Sequence, residues 1–69
     1  METEFKETVW EMVEEIEDAR RFHGFTVQFT CEQLGVSRQT YYNWRNRDVF
    51  PDWDSVDQIE EFLDQYGRK

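Results

Sequence analysis

The 69-residue chain has room for one small domain, and its 38% hydrophobic and 17% aromatic content favours a folded domain over a disordered segment. Its net charge of −8, from 8 basic and 16 acidic side chains, argues by itself against a polyanionic partner. The single cysteine excludes an internal disulfide, and with only one histidine the chain has no cluster of metal ligands. No apolar run is long enough for a membrane span, and no secretion signal is expected, so we predict a cytoplasmic protein.

The acidic residues are concentrated towards the two ends of the chain. Eight acids lie between Glu2 and Asp18, where Lys6 is the only base, and six more lie between Asp52 and Asp64 without a base. Between them, positions 35–51 hold three arginines and one acid: Arg38, Arg45, Arg47 and Asp48. The middle of the chain is therefore locally positive.

A first helix is predicted over about residues 3–23, with Thr3 as its cap and Gly24 as its stop. Apolar residues recur at helical spacing: Phe5, Val9, Met12, Val13, Ile16 and Ala19. We interpret the acids between them as a solvent-exposed face, with an acidic docking surface as the alternative. His23 is expected to be a cap or a partial core contact rather than a ligand.

A second helix, 26–34, is predicted to begin at the cap Thr26 and to end before Gly35. Its apolar face contains Cys31, which we interpret as a small core residue because no activating base lies nearby. Ser37 can cap a third helix, 37–46, only two residues after Gly35. Two helices joined this tightly predict a helix-turn-helix unit.

In the third helix, Tyr41 and Trp44 are three residues apart and are predicted to point inward. The outward set is then Arg38, Gln39, Tyr42, Asn43, Arg45 and Asn46. Arginine pairs with guanine, and glutamine or asparagine with adenine, so this set suits base-edge contacts. The alternative is an ordinary polar helix face.

Pro51 stops the third helix, and Asp52 can cap a fourth, 52–66, which ends at Gly67. Its apolar stripe consists of Val56, Ile59, Phe62, Leu63 and Tyr66. No stretch alternates as a strand would. The sequence therefore predicts an all-α fold: one compact four-helix domain, residues 1–69, containing a helix-turn-helix.

From about Ile16 to Gly67 the chain resembles the Cro/phage-repressor (XRE-type) helix-turn-helix family. The resemblance rests on an ordered set of positions: Arg20, Gly24, Phe25, Thr26, Cys31, Gly35, Val36, Ser37, Val56, Ile59 and Leu63. It implies a lambda-repressor-like fold and base contacts from Arg38, Gln39, Tyr42 and Asn43. The chain departs from the pattern at Val27, where a phosphate-anchoring glutamine is frequent, so that Gln28 would have to substitute. It departs again at Thr30, where leucine is usual, and in the Arg47-Asp48 loop, which is often more basic.

A second, local similarity runs from Tyr42 to Pro51 and is to excisionase and AlpA-type phage regulators, whose recognition helix precedes a wing. About one residue separates Pro51 from the predicted fourth helix, which leaves no room for a wing. We therefore expect the wingless architecture.

The sequence predicts a transcriptional regulator of phage, prophage or plasmid type that reads the major groove of double-stranded DNA with helix 37–46, as a homodimer. The predicted DNA-binding residues are Arg38, Gln39, Tyr42, Asn43, Arg45, Arg47, Ser37, Gln28 and Thr26. No enzyme activity, cofactor or metal is expected, since paired acids such as Glu14 and Glu15 have no partner at catalytic spacing.

Two other functions compete with this prediction. One is a protein-interaction module, such as an anti-repressor or modulator, that binds another regulator or polymerase through its acidic first helix; the other is an excisionase-like architectural protein. The surroundings of the arginines distinguish the protein-interaction module from a DNA-binding protein. DNA binding is favoured if Arg38, Arg45 and Arg47 line an open face, and protein binding if acids of the first or fourth helix pair with them. The charge would be uninformative if the cytoplasm were rich in salt.

Overall fold

The computed structural model describes the backbone of residues 2–67 and the side chains of residues 7–67. It contains four α-helices: α1, Glu2–His23; α2, Val27–Leu34; α3, Arg38–Arg45; and α4, Trp53–Tyr66. Residues 2–67 contain no strand, so the predicted all-α, wingless class is confirmed. Phe5 and the tail Arg68-Lys69 lie outside the described side chains.

Side-chain caps fix the starts of the last three helices. Thr26 Oγ1 accepts from the Phe29 amide at 3.0 Å, Ser37 Oγ from the Thr40 amide at 3.1 Å, and Asp52 Oδ1 from the Ser55 amide at 2.8 Å. Each helix thus begins one residue after its predicted cap. Thr3 differs, because α1 already includes it, and its side chain, on which the predicted capping depends, lies outside the described side chains.

Two glycines make the sharp exits from α1 and α2. Gly24 and Gly35 have φ of 75° and 73°, in the left-handed region that side chains with a Cβ avoid. The Gly35 amide donates to Glu32 O at 3.2 Å, and the Val36 amide to Cys31 O at 3.0 Å, so two of the last four carbonyls of α2 are satisfied within the turn. The chain is then free to begin α3 at once.

The core lies where α3 and α4 each pack against both α1 and α2. Its buried residues come from all four helices: Val13, Ile16, Ala19, Cys31, Leu34, Tyr41, Trp44, Ile59 and Phe62. Tyr41 and Trp44 are 0% and 2% exposed, which confirms that they point inward. Cys31 is buried as expected, and burial raises the pKa of its thiol.

His23 joins the end of α1 to the end of α4. Its Nε2 donates to the Tyr66 carbonyl oxygen at 2.9 Å, and its ring stacks on Phe25 with centroids 4.9 Å apart. Phe25 in turn meets Tyr66 edge-on at 5.0 Å. His23 therefore serves as a helix-to-helix contact, in line with the structural role expected of it.

Candidate nucleic-acid interface

The outward face of α3 carries the polar side chains predicted from its sequence. Arg38, Gln39 and Tyr42 are exposed and Asn43 is half-buried, while Tyr41 and Trp44 on the opposite side are buried. Gln39 Nε2 donates to Asn43 Oδ1 at 3.1 Å, so the two amides hold each other one helical turn apart. Such a pair presents its remaining amide groups in a fixed orientation.

Three more predicted residues lie at the N-termini of α2 and α3. Thr26 and Ser37 both cap helices, and Ser37 Oγ also lies 3.0 Å from Thr40 Oγ1. Gln28 is exposed, with Nε2 3.4 Å from Glu32 Oε2. The two hydroxyls therefore stabilise the turn whether or not they also contact a ligand.

The three arginines near α3 have different surroundings. Arg45 Nη1 lies 3.2 Å from Glu17 Oε1, and Arg47 Nη2 donates to Glu14 Oε2 at 3.1 Å. Arg38 has no hydrogen bond or ion pair within the described part of the chain. The three arginines therefore do not point to one function. Arg45 and Arg47 pair with acids of α1, as expected for protein binding, whereas Arg38 is exposed, as expected for DNA binding.

Glu17 is the centre of a polar cluster beneath α3, formed with Arg20, Arg21, Tyr41 and Arg45. Its carboxylate accepts from Tyr41 Oη at 2.7 Å, Arg20 Nε at 3.1 Å and Arg21 Nε at 3.2 Å, besides Arg45 and a second nitrogen of Arg20. Hydrogen bonds from Arg20, opposed by burial and reinforced by Tyr41 and Arg45, lower the pKa of Glu17 to about 2.

Tyr41 and Arg45 lie one turn apart on α3, and both bind this one carboxylate on α1. Burial and the bond to Glu17 raise the pKa of the Tyr41 phenol, which therefore remains a donor. Arg20 extends the cluster, since its Nη1 donates to the Phe25 carbonyl at 2.9 Å in the turn before α2. The Glu17 cluster thus fixes α1, the first turn and α3 relative to one another.

The prediction that the acids of α1 form a solvent-exposed face is wrong for Glu17, which is only 6% exposed. The sequence held a signal for this position. Glu17 follows Val13 by four residues and Val9 by eight, so it lies within the apolar stripe. An acid on a buried stripe needs a partner, and Arg20, three residues further on, is suitably placed.

Other acids, from both ends of the chain, line a groove between α1 and α4. Its charged lining residues are all carboxylates: Glu15, Asp18, Asp57, Glu60, Glu61 and Asp64. Met12 and Leu63 add apolar surface, and no basic side chain among the described residues lines it. This surface is suited to a cationic partner and unsuited to DNA.

Comparison with known protein families identifies the family of this chain. Residues 16–64, which make up 49 of the 69 residues, match the family model described as the bacteriophage CI repressor helix-turn-helix domain. The match covers α2, α3, nearly all of α4 and the part of α1 that bears Glu17. No curated protein and no solved structure matches the chain. Within residues 2–67 no helix is long and apolar enough to cross a membrane.

Proposed function

The chain belongs to the bacteriophage CI repressor helix-turn-helix domain family, a family of DNA-binding regulators, and on that premise we propose that α3 reads a specific operator in the major groove. The observation that carries the proposal is the division of α3 into two faces. Tyr41 and Trp44 fix one face in the core, and Arg38, Gln39 and Tyr42 are exposed on the other.

The exposed side chains have the chemistry of direct base readout. Arg38 suits the O6 and N7 acceptors of guanine, and Gln39 or Asn43 suits the N6 and N7 atoms of adenine. Tyr42, 43% exposed, offers an apolar ring for a thymine methyl group and a hydroxyl for a phosphate. Each good base contact contributes about 1–3 kcal/mol of discrimination.

Arg45 has a different role in this proposal. Its guanidinium binds Glu17, which is also bonded to Tyr41, so Arg45 orients α3 rather than reading a base. The base-reading side chains then lie at the start and in the middle of α3. Since few cations remain for phosphates, we expect the affinity to depend only weakly on salt concentration.

A single reading helix of eight residues contacts few base pairs, so we further propose a homodimer on a two-fold operator. Dimerisation doubles the number of bases read. A phage, prophage or plasmid regulator with a compact operator fits this arrangement, and its place of action would be the cytoplasm.

The test is selection from random-sequence duplexes at low salt, followed by affinity measurement on the enriched sequence. R38A is expected to weaken specific binding by about ten-fold or more, the loss of one paired base contact. The control Q58A, at an exposed position of α4, is expected to leave affinity unchanged. Failure to enrich any sequence would refute DNA reading, and a two-fold symmetric consensus would support the dimer.

The ion pairs of Arg45 and Arg47 with α1 favour a second candidate, a protein-interaction module that binds a basic surface of another regulator. The groove between α1 and α4 is the corresponding surface. A reporter assay with the promoter of its own gene separates the two functions. Under the module hypothesis, E60K/E61K abolishes regulation and R38A does not; under DNA reading, the reverse holds.

A further inference from the structure

We propose that Glu14 is an intramolecular competitor of DNA phosphate, which holds the Arg47 guanidinium and so reduces binding to non-operator DNA. This inference rests on the proposed function and adds a specificity-determining residue to it. Glu14 lies on α1 and acts through Arg47.

The position of Arg47 is fixed from both its backbone and its side chain. It has φ of 61°, the only non-glycine residue among those described with a positive φ, and its amide donates to Trp44 O at 3.0 Å. Its guanidinium donates to Glu14 at 3.1 Å and lies 5.6 Å from the centre of the Trp10 ring. Phe50 supports that ring edge-on, with centroids 5.1 Å apart.

Arg47 lies two residues beyond the end of α3. Residues that flank a helix in the major groove are placed near the phosphate backbone. Carboxylate and phosphate offer a guanidinium the same pair of acceptor oxygens, so either anion can occupy the site beside Arg47. Glu14 therefore occupies, in the free protein, the position that a phosphate would take in the complex.

The Glu14–Arg47 ion pair is exposed to solvent, so a phosphate can replace Glu14 beside Arg47. The side chains of Arg47 and Glu14 are 59% and 69% exposed, and exposed pairs shift an equilibrium by about five-fold at most. Glu17 beside Arg45 is only 7% exposed and has four partners, so that pair does not open for a phosphate. A phosphate can displace Glu14 only where base contacts already position the DNA. DNA without those base contacts does not gain the Arg47 contact and is bound more weakly.

The experiment compares E14Q with E11Q, because Glu11 is an exposed acid one turn earlier on α1 without an ion-pair partner among the described residues. Both variants remove one negative charge, so their long-range effects are matched. E14Q is expected to tighten binding to a random-sequence duplex about two- to five-fold more than E11Q. Its affinity should also depend more steeply on salt, by up to about 0.9 in the logarithmic slope.

The double variant E14Q/R47Q identifies the partner. With Arg47 removed, Glu14→Gln is expected to have the same effect as Glu11→Gln. The inference alone would be overturned if E14Q and E11Q changed the affinity equally in the presence of Arg47. It would also be overturned if the larger effect of E14Q on affinity persisted in R47Q. Absence of DNA binding by every variant and by the unmodified protein would overturn the proposed function and the inference together.

Discussion

At the scale of single residues, Glu17 shows how one carboxylate can organise several side chains. It accepts hydrogen bonds from Tyr41 and Arg20 and ion-pairs with Arg45 from α3, while remaining almost fully buried. No buried side-chain nitrogen or oxygen among the described residues lacks a hydrogen-bond partner. Removing the charge would leave three arginines and a buried phenol competing for a weaker acceptor, which is costly in a water-poor environment.

We therefore predict that E17Q lowers the free energy of unfolding at neutral pH by about 3 kcal/mol, the equivalent of a pKa shift from 4.5 to about 2. Because the folded-state pKa is depressed, this stabilisation is fully present above the unfolded-state value and disappears as the pH falls towards 2. Urea unfolding of both proteins from neutral pH downward measures the difference.

The control is E15Q, which removes an exposed acid from the same helix and should change stability by about 0.5 kcal/mol or less. E15Q also removes one negative charge, so it shows how much stability is gained merely by reducing the repulsion between acids. A gap between the unmodified protein and E17Q that stays constant from neutral to acid pH would contradict the role assigned to the Glu17 carboxylate.

At the scale of elements, local signals in the sequence account for most helix boundaries. Thr26, Ser37 and Asp52 were recognisable as caps because their short polar side chains can accept from an amide three residues further on, as they do in the structure. The pairings of α1 with Arg45 and Arg47 were not recognisable, because they join residues far apart in sequence and depend on how the helices pack. The fold was therefore more predictable than the electrostatic state of its candidate site.

The turn between α2 and α3 gives a prediction at this scale. Gly35 has φ of 73°, and an added Cβ would meet no atom within 4 Å, so the cost of a substitution is conformational and not steric. G35A is expected to lose about 1–2 kcal/mol of stability. G35N should lose less, because asparagine tolerates the left-handed region better. Thermal unfolding measures both, and equal losses would show that the backbone conformation is not the cause.

At the scale of the whole molecule, the acids of α1 and α4 come together in one groove. On α4 the like charges Asp57 and Glu61, and likewise Glu60 and Asp64, are spaced four residues apart, which destabilises a helix. With a net charge of −8, we expect mutual repulsion to outweigh the few exposed ion pairs. The composition alone indicated excess acid, but only the packing shows where it accumulates.

We therefore predict that added sodium chloride raises the thermal midpoint, because screening weakens the repulsion. The double variant E60Q/D64N should be more stable than the unmodified protein at low salt, by a few tenths of a kcal/mol, and should respond less to salt. Differential scanning calorimetry across a salt series measures both effects. A midpoint that falls with salt would mean that attractive pairs such as Glu14–Arg47 dominate.

The anchoring of Tyr41 and Arg45 on Glu17 also determines how the molecule can be reprogrammed. Among the described residues, positions 38 and 39 have no hydrogen bond or ring contact with that anchor, so their side chains can be exchanged in combinatorial libraries without disturbing the packing of α3. Position 42 differs, because the Tyr42 ring lies 6.0 Å from that of Tyr41. Position 45 is on the same helix but belongs to the scaffold. A designer seeking new operator preferences would therefore vary the first two residues of α3 and leave its last turn untouched.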